Sequence, residues 1–255
     1  MKTTLLKTIG IGTIFSVLTL SVNADVVDTI EKSFDVKANS ELSLDNVNGK
    51  VEIISWSKQQ VQVNATIKAD SQEERERITI EMQQKGKEIK VKTRYKDKSF
   101  FDKNNSNSGQ VTYQIMVPSD INLSSIDLVN GSLIIEDVHG DIDVELVNGS
   151  VKATGLMGNS EISSVNGSIK VVYQALAPNF KDIDIETVNG SIKLTLPSDL
   201  NASIEAETSH GSIKNDFGLQ NKKSFTGNKL KGKVGTGQAE VSLESVNGSI
   251  KIKSL

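Results

Sequence analysis

The chain has 255 residues, with no cysteine, 3 prolines, 19 glycines and a formal charge of −3. The lack of cysteine excludes disulfides, thiol nucleophiles, thiolate metal sites and a lipidated cysteine anchor. The mildly acidic balance gives no support for a nucleic-acid partner.

Residues 1–24 have the pattern of an export signal: Lys2 and Lys7, an apolar run from Ile9 to Leu20, and the small-residue site Val22-Asn23-Ala24, which predicts cleavage between Ala24 and Asp25. The run is too short for a membrane span, and no later segment approaches about 18 consecutive apolar residues. The mature chain is therefore expected to be soluble, without a transmembrane anchor. Residues 25–118 read as an irregular β-rich capping region. Its predicted strands are EKSFDV, ELSLDNV, KVEIISW, QVQVNATIKA, ITIEMQQ, EIKVKTRY and QVTYQIMV. Ser71 is placed to cap a short helical turn that ends near Arg77. Residues 96–109 form a polar loop carrying Phe100 and Phe101, and Trp56 at the end of an apolar strand is expected to be buried.

From residue 119 onward an internal repeat sets the architecture. Glycines at 131, 140, 149, 158 and 167 are nine apart, and the residues before them alternate, so the true period is 18. The VNG or SHG corners are Asn130-Gly131, Asn148-Gly149, Asn166-Gly167, Asn189-Gly190, His210-Gly211 and Asn247-Gly248, with an early copy at Asn48-Gly49. Counted from each glycine, the apolar residues fall at −7, −5, −2, +2 and +4, as in Ile142, Val144, Val147 and Val151 around Gly149. That pattern predicts a coil that bends just before the corner and keeps every branched side chain inside. The fold expected for 119–255 is thus an all-β, solenoid-like or β-helix-like stack of NGxI repeats, continuous with 25–118. Asparagine and glycine at the corners are read as residues that tolerate positive φ. Equivalent asparagines would stack about 4.8 Å apart and bond to one another.

Charges follow the same repeat. Lys152, Lys170, Lys193, Lys214 and Lys251 all occupy +3, and Asp127, Glu145, Glu186, Glu207 and Glu244 occupy −4. Two lysines stacked at that spacing repel by roughly 0.9 kcal/mol in water and far more in a dry interior, so both rows must face solvent. The lysine row is a candidate contact stripe for an acidic glycan or lipid headgroup; its plainer explanation is a solvated outer face. Lys251 and Lys253 lie on the last strand, where lysine would block end-to-end pairing if that strand were an exposed edge. Lys222, Lys223, Lys229, Lys231 and Lys233 read as a solvated basic loop near Phe225. His139 and His210 sit at turns. No motif for catalysis, metal or cofactor is found.

The early DNVNGKVEIISW, the repeated VNGSIK units, LPSDLNASIEAETSHGSI, NDFGLQ and the terminal GTGQAEVSLESVNGSIKI together resemble a bacterial "putative adhesin" family of exported β-strand-repeat proteins, a domain of unknown function. The resemblance implies a cell-envelope location, periplasmic or at the cell surface, and a β-solenoid-like fold; it transfers no catalytic residue. Two functions follow as expectations. One is a non-enzymatic binding or adhesion module with an envelope glycan or protein partner, and the other is a self-assembling envelope scaffold.

Overall fold

The computed structural model describes residues 25–96, 109–224 and 227–255. The signal segment through Ala24, the pair Phe100-Phe101 and Phe225 lie outside the described residues.

In chain order the N-terminal strands are β1 (Val26–Asp35), β2 (Glu41–Asn48), β3 (Val51–Trp56) and β4 (Gln60–Ala69), followed by α1 (Gln72–Glu76), β5 (Ile78–Lys85), β6 (Glu88–Tyr95) and β7 (Gln110–Pro118). Ser71 caps α1 as expected, its hydroxyl accepting from the Glu74 amide at 3.2 Å. Then come paired strands: β8 (Asn122–Asn130) with β9 (Leu133–Glu136), β10 (Ile142–Asn148) with β11 (Val151–Leu156), β12 (Ser160–Asn166) with β13 (Ile169–Tyr173), and β14 (Asp182–Asn189) with β15 (Ile192–Leu196). The chain continues through β16 (Ala202–His210), β17 (Ile213–Asn215), β18 (Asn221–Ser224), β19 (Gly227–Val234), β20 (Ala239–Asn247) and β21 (Ile250–Ser254).

The strands form two sheets facing one core, in an all-β, solenoid-like arrangement. The first runs β1-β4-β7-β3-β9-β11-β13-β15-β21-β17, and the second runs β18-β19-β16-β20-β14-β12-β10-β8-β2-β6-β5. Each corner glycine carries the chain from the second sheet into the first, so one strand from each sheet makes a rung. Rungs join in parallel register: Val144 lies opposite Ile162, Ile162 opposite Ile185, and Ile185 opposite Leu243. Antiparallel pairs occur only toward the two ends, at β1–β4, β4–β7 and β5–β6 on one side and β16–β19 and β18–β19 on the other. The early strands β2 and β3 are themselves a rung, paired in parallel with β8 and β9.

Four expectations are corrected here. The valines at −2 point outward: Val129, Val147, Val165, Val188 and Val246 are 38–43% exposed, whereas Leu128, Leu146, Ser164, Thr187, Thr208 and Ser245 at −3 are buried. Side-chain alternation therefore continues from −5 through −3 into each corner, as the two-fold strand period requires, with no change of parity there; a bulge in β8 between Leu123 and Ile126 lies further from the corner. Second, the last strand is not an edge. The rung of β20 and β21 is inserted between that of β14 and β15 and that of β16 and β17, so Lys251 and Lys253 lie on an internal strand. Third, Lys222, Lys229, Lys231 and Lys233 lie on the strands of an antiparallel hairpin, β18–β19, and not in a loop. Trp56, expected to be buried, is half-buried. Its indole N–H donates to the Gln60 carbonyl at 2.7 Å, and the Lys58 ammonium sits 4.5 Å from its ring centre.

Candidate functional site

The corners form one rim of the stack. Gly49 and Gly149 have positive φ, at 122° and 142°, but none of the corner asparagines does, so positive φ does not explain the Asn-Gly pairs. Close approach does. A Cβ on Gly131 would lie 2.0 Å from the Gly49 carbonyl oxygen, one on Gly190 1.9 Å from that of Gly167, and one on Gly248 1.7 Å from that of Gly190. Gly211, at the His210 corner, is held the same way against Gly248. A column of glycines is thus the condition for rungs to bond at their normal separation.

Beside the glycines runs an amide ladder. The Nδ2 of Asn130 donates to Oδ1 of Asn48 at 3.0 Å, and Asn148 to Asn130, Asn166 to Asn148, Asn189 to Asn166 and Asn247 to Asn189 each do so at 2.9 Å. His210 takes the equivalent place opposite Asn247 and accepts through its backbone carbonyl from the Gly248 amide. His139 lies in the opposite connection, where its amide donates to the Ser119 carbonyl at 2.7 Å.

The outer faces of the two sheets differ in charge. On the first sheet Lys152, Lys170, Lys193, Lys251 and Lys214 are aligned strand by strand, and all are exposed. Lys152 has a distant carboxylate neighbour, Glu136, at 3.9 Å; the other four have no ion pair among the described residues. On the second sheet the −4 row aligns Asp45, Asp127, Glu145, Ser163, Glu186, Glu244 and Glu207. Two residues earlier on the same face stand Asp143, Glu161, Asp184 and Glu205, so every rung from β8 to β16 offers a carboxylate. Between the −4 row and the asparagines lies the exposed valine row, which with the carboxylates lines one shallow open groove.

This acidic face is internally compensated only toward its ends. Lys229 and Lys231 of β19 pair with Glu205 at 2.8 and 2.6 Å, and Lys229 also reaches Glu207 at 3.0 Å. These lysines hold the Glu205 carboxyl at about 2. At the other end Lys92 pairs with Asp45. In the middle, Asp127, Glu145, Glu186 and Glu244 have no ion pair among the described residues. Burial, with Asp184, Glu244 and Glu161 nearby, pushes the Glu186 carboxyl above its ordinary value; burial, with Asp127 nearby, does the same to Asp143. The valines and the uncompensated acids are what sequence reasoning placed wrongly or left unjoined. The signal available was the two-residue period of a strand, which carries the inward row from −7 and −5 on to −3 and puts Leu128 and Leu146 inside.

Ser164 Oγ and Asp184 Oδ1 are buried without a hydrogen-bond partner among the described residues, whereas a polar cluster inside the stack is satisfied internally. Tyr113 and Thr93 share a 2.7 Å hydrogen bond between hydroxyls, and Thr93 donates to Asn46 at 2.9 Å, all within the core. Among the described residues no group of three or more His, Cys, Asp or Glu side chains is arranged to hold a metal ion, and no helix is long and apolar enough to cross a membrane. Asp25, the residue after the predicted cleavage point, pairs with Lys68 at 2.6 Å.

A family model described as Toastrack DUF4097 matches residues 105–253. No curated protein matches the chain. Among solved structures, a "putative cell adhesion protein" from Clostridium sporogenes is similar at a TM-score of 0.49 and 17% identity, covering 89% of this chain and 100% of its own. A "putative adhesin" from Bacteroides fragilis is similar at a TM-score of 0.43 and 13% identity, covering 88% of this chain and 97% of its own.

Proposed function

The chain belongs to the Toastrack DUF4097 family, and we propose that it is a non-enzymatic, exported cell-envelope protein, an adhesin-like binding module that uses a sheet face of a β-solenoid. Residues 1–24 direct export in this reading. Residues 25–118 cap one end, although β2 and β3 belong to the stack, and 119–255 supply the NGxI rungs. The observation that carries the proposal is the aligned row Lys152, Lys170, Lys193, Lys251 and Lys214. Five cations at about 4.8 Å intervals repel one another, and a polyanion laid across them relieves that repulsion and releases their counter-ions. An acidic envelope glycan has the required chemistry, with anionic groups repeated along a chain.

The test is retention of the purified protein on envelope fractions over a salt series. Retention should fall as salt rises and should be lost in the Lys170→Glu, Lys193→Glu variant. Retention that the variant leaves unchanged rules out the lysine face as the contact. A second reading, an envelope scaffold built by end-to-end stacking, is disfavoured: the edge strands β17 and β18 carry Lys214 and Lys222, and lysine on an edge opposes such pairing.

A further inference from the structure

The acidic face of the second sheet carries two features that a solvated surface does not need together. One is a continuous file of exposed valines, Val129, Val147, Val165, Val188 and Val246, on five adjacent strands. The other is a parallel file of carboxylates, of which Asp127, Glu145, Glu186 and Glu244 have no cation of their own. Aligned exposed apolar side chains rimmed by charge mark a contact surface. The chemistry that would cover this one is a file of cations repeating at the strand spacing of about 4.8 Å.

The molecule carries such a file on its opposite face. Lys152, Lys170, Lys193, Lys251 and Lys214 occupy five adjacent strands of the first sheet and span about 19 Å, the same length as the valine file. The lysines lie three residues after the corner glycine and the carboxylates four residues before it, so both files run within about one residue's length, ~3.3 Å, of the same distance from the rim. Translating one molecule perpendicular to its sheets therefore sets Lys152, Lys193 and Lys251 of one copy over Glu145, Glu186 and Glu244 of the next on matching rungs, while Lys170 comes over Ser163, two residues from Glu161, and Lys214 over Glu207. The small Ser150, Ser168, Ser191 and Ser249, one residue past the corner, then come over the valines. A foreign cationic partner would need the same pitch by coincidence; a second copy has it by construction. The hairpin lysines Lys229 and Lys231 already satisfy Glu205 and Glu207 in this way within the chain.

We propose that the valine-and-carboxylate face of one molecule docks on the lysine face of a second copy. The contact joins two different surfaces, so it does not close on itself, and molecules add laterally without a fixed end point. An acidic polymer on the lysine face and a neighbouring copy compete for the same lysines.

Sedimentation and light scattering of the purified protein alone test this. The weight-average mass should climb steadily with concentration at low salt, and association should weaken about tenfold or more near 0.5 M salt, where screening reaches within a few ångströms. Lys170→Glu, Lys193→Glu and Glu145→Lys, Glu186→Lys should each abolish association alone, while circular dichroism verifies that each is folded. Mixing the two variants should restore pairing, because the unaltered acidic face of the first then meets the unaltered lysine face of the second. A wild type that stays monomeric at low salt and high concentration overturns the proposal, as does association that neither variant changes. So does a monomeric wild type whose acidic face binds added polylysine, which would assign the face to a foreign cation. Envelope retention without self-association, or the reverse, separates this proposal from the glycan-binding one.

Discussion

Replacing Gly167 by alanine tests the close-approach explanation of the corners directly. Its Cβ would lie 1.4 Å from the Gly149 carbonyl oxygen, whereas ordinary contact begins near 3.4 Å, so the two rungs must part locally by about 2 Å from a spacing of ~4.8 Å. Three bonds hold these rungs at that corner. The Gly149 amide donates to Asn166 O at 2.9 Å, the Val151 amide to Ser168 O at 3.1 Å, and Asn166 Nδ2 to Asn148 Oδ1 at 2.9 Å. At about 1 kcal/mol per hydrogen bond, plus roughly 1–3 kcal/mol for overpacking, Gly167→Ala should cost on the order of 4–6 kcal/mol. Gly86→Ala is the control. Gly86 has φ +65° and nothing within 4 Å of an added Cβ, so only the left-handed backbone term of roughly 1–2 kcal/mol applies. Denaturant unfolding followed by circular dichroism measures both. A Gly167→Ala protein no less stable than Gly86→Ala would refute the crowding explanation, since Gly167 is not in the positive-φ set.

The inward and outward rows should separate cleanly under alanine substitution. Leu146→Ala, at a 2% exposed position, is expected to cost about 2–5 kcal/mol, and Val147→Ala, one residue on and 41% exposed, to stay within about 0.5 kcal/mol; equal losses would contradict the observed alternation. The acidic face should also shape stability against pH. Glu186, Asp143 and Asp184 have folded values raised chiefly by burial, so the folded state binds more protons than the unfolded one, and stability rises as pH falls through those raised values towards the ordinary 4.5 and 3.8. Glu205, held at about 2, acts oppositely: its contribution is present above the ordinary 4.5 and is lost as pH falls towards 2. Thermal midpoints should therefore pass through a maximum in mildly acidic solution, and Glu186→Gln with Asp184→Asn should flatten the rise on its alkaline side.

The rung period, the corner positions and the shared offset of the lysines were legible because each repeats in the chain with the period of the coil. The facing of the valines was not. Valine suits a strand on either face, and the true inward row is disguised by short hydroxyl residues. Thr187 Oγ1 donates to the Gly167 carbonyl at 3.2 Å, Thr208 Oγ1 to that of Gly248 at 2.7 Å, and Ser245 Oγ to that of Gly190 at 3.0 Å. These side chains satisfy corner carbonyls from inside the stack, so a polar letter marks a buried position. The spatial order of rungs was equally hidden, because near-identical rungs fit any neighbour and nothing local distinguishes β20 as the partner of both β14 and β16.

The interposed rung of β20 and β21 makes residues 239–254 a keystone. Until residues 239–254 arrive, β14 and β16 have no common neighbour between them, and the hairpin of β18 and β19 can fasten only onto a detached end. Without this stretch β14 and β15 lose their hydrogen-bonding partners toward β16 and β17, and those strands must find another rung to join.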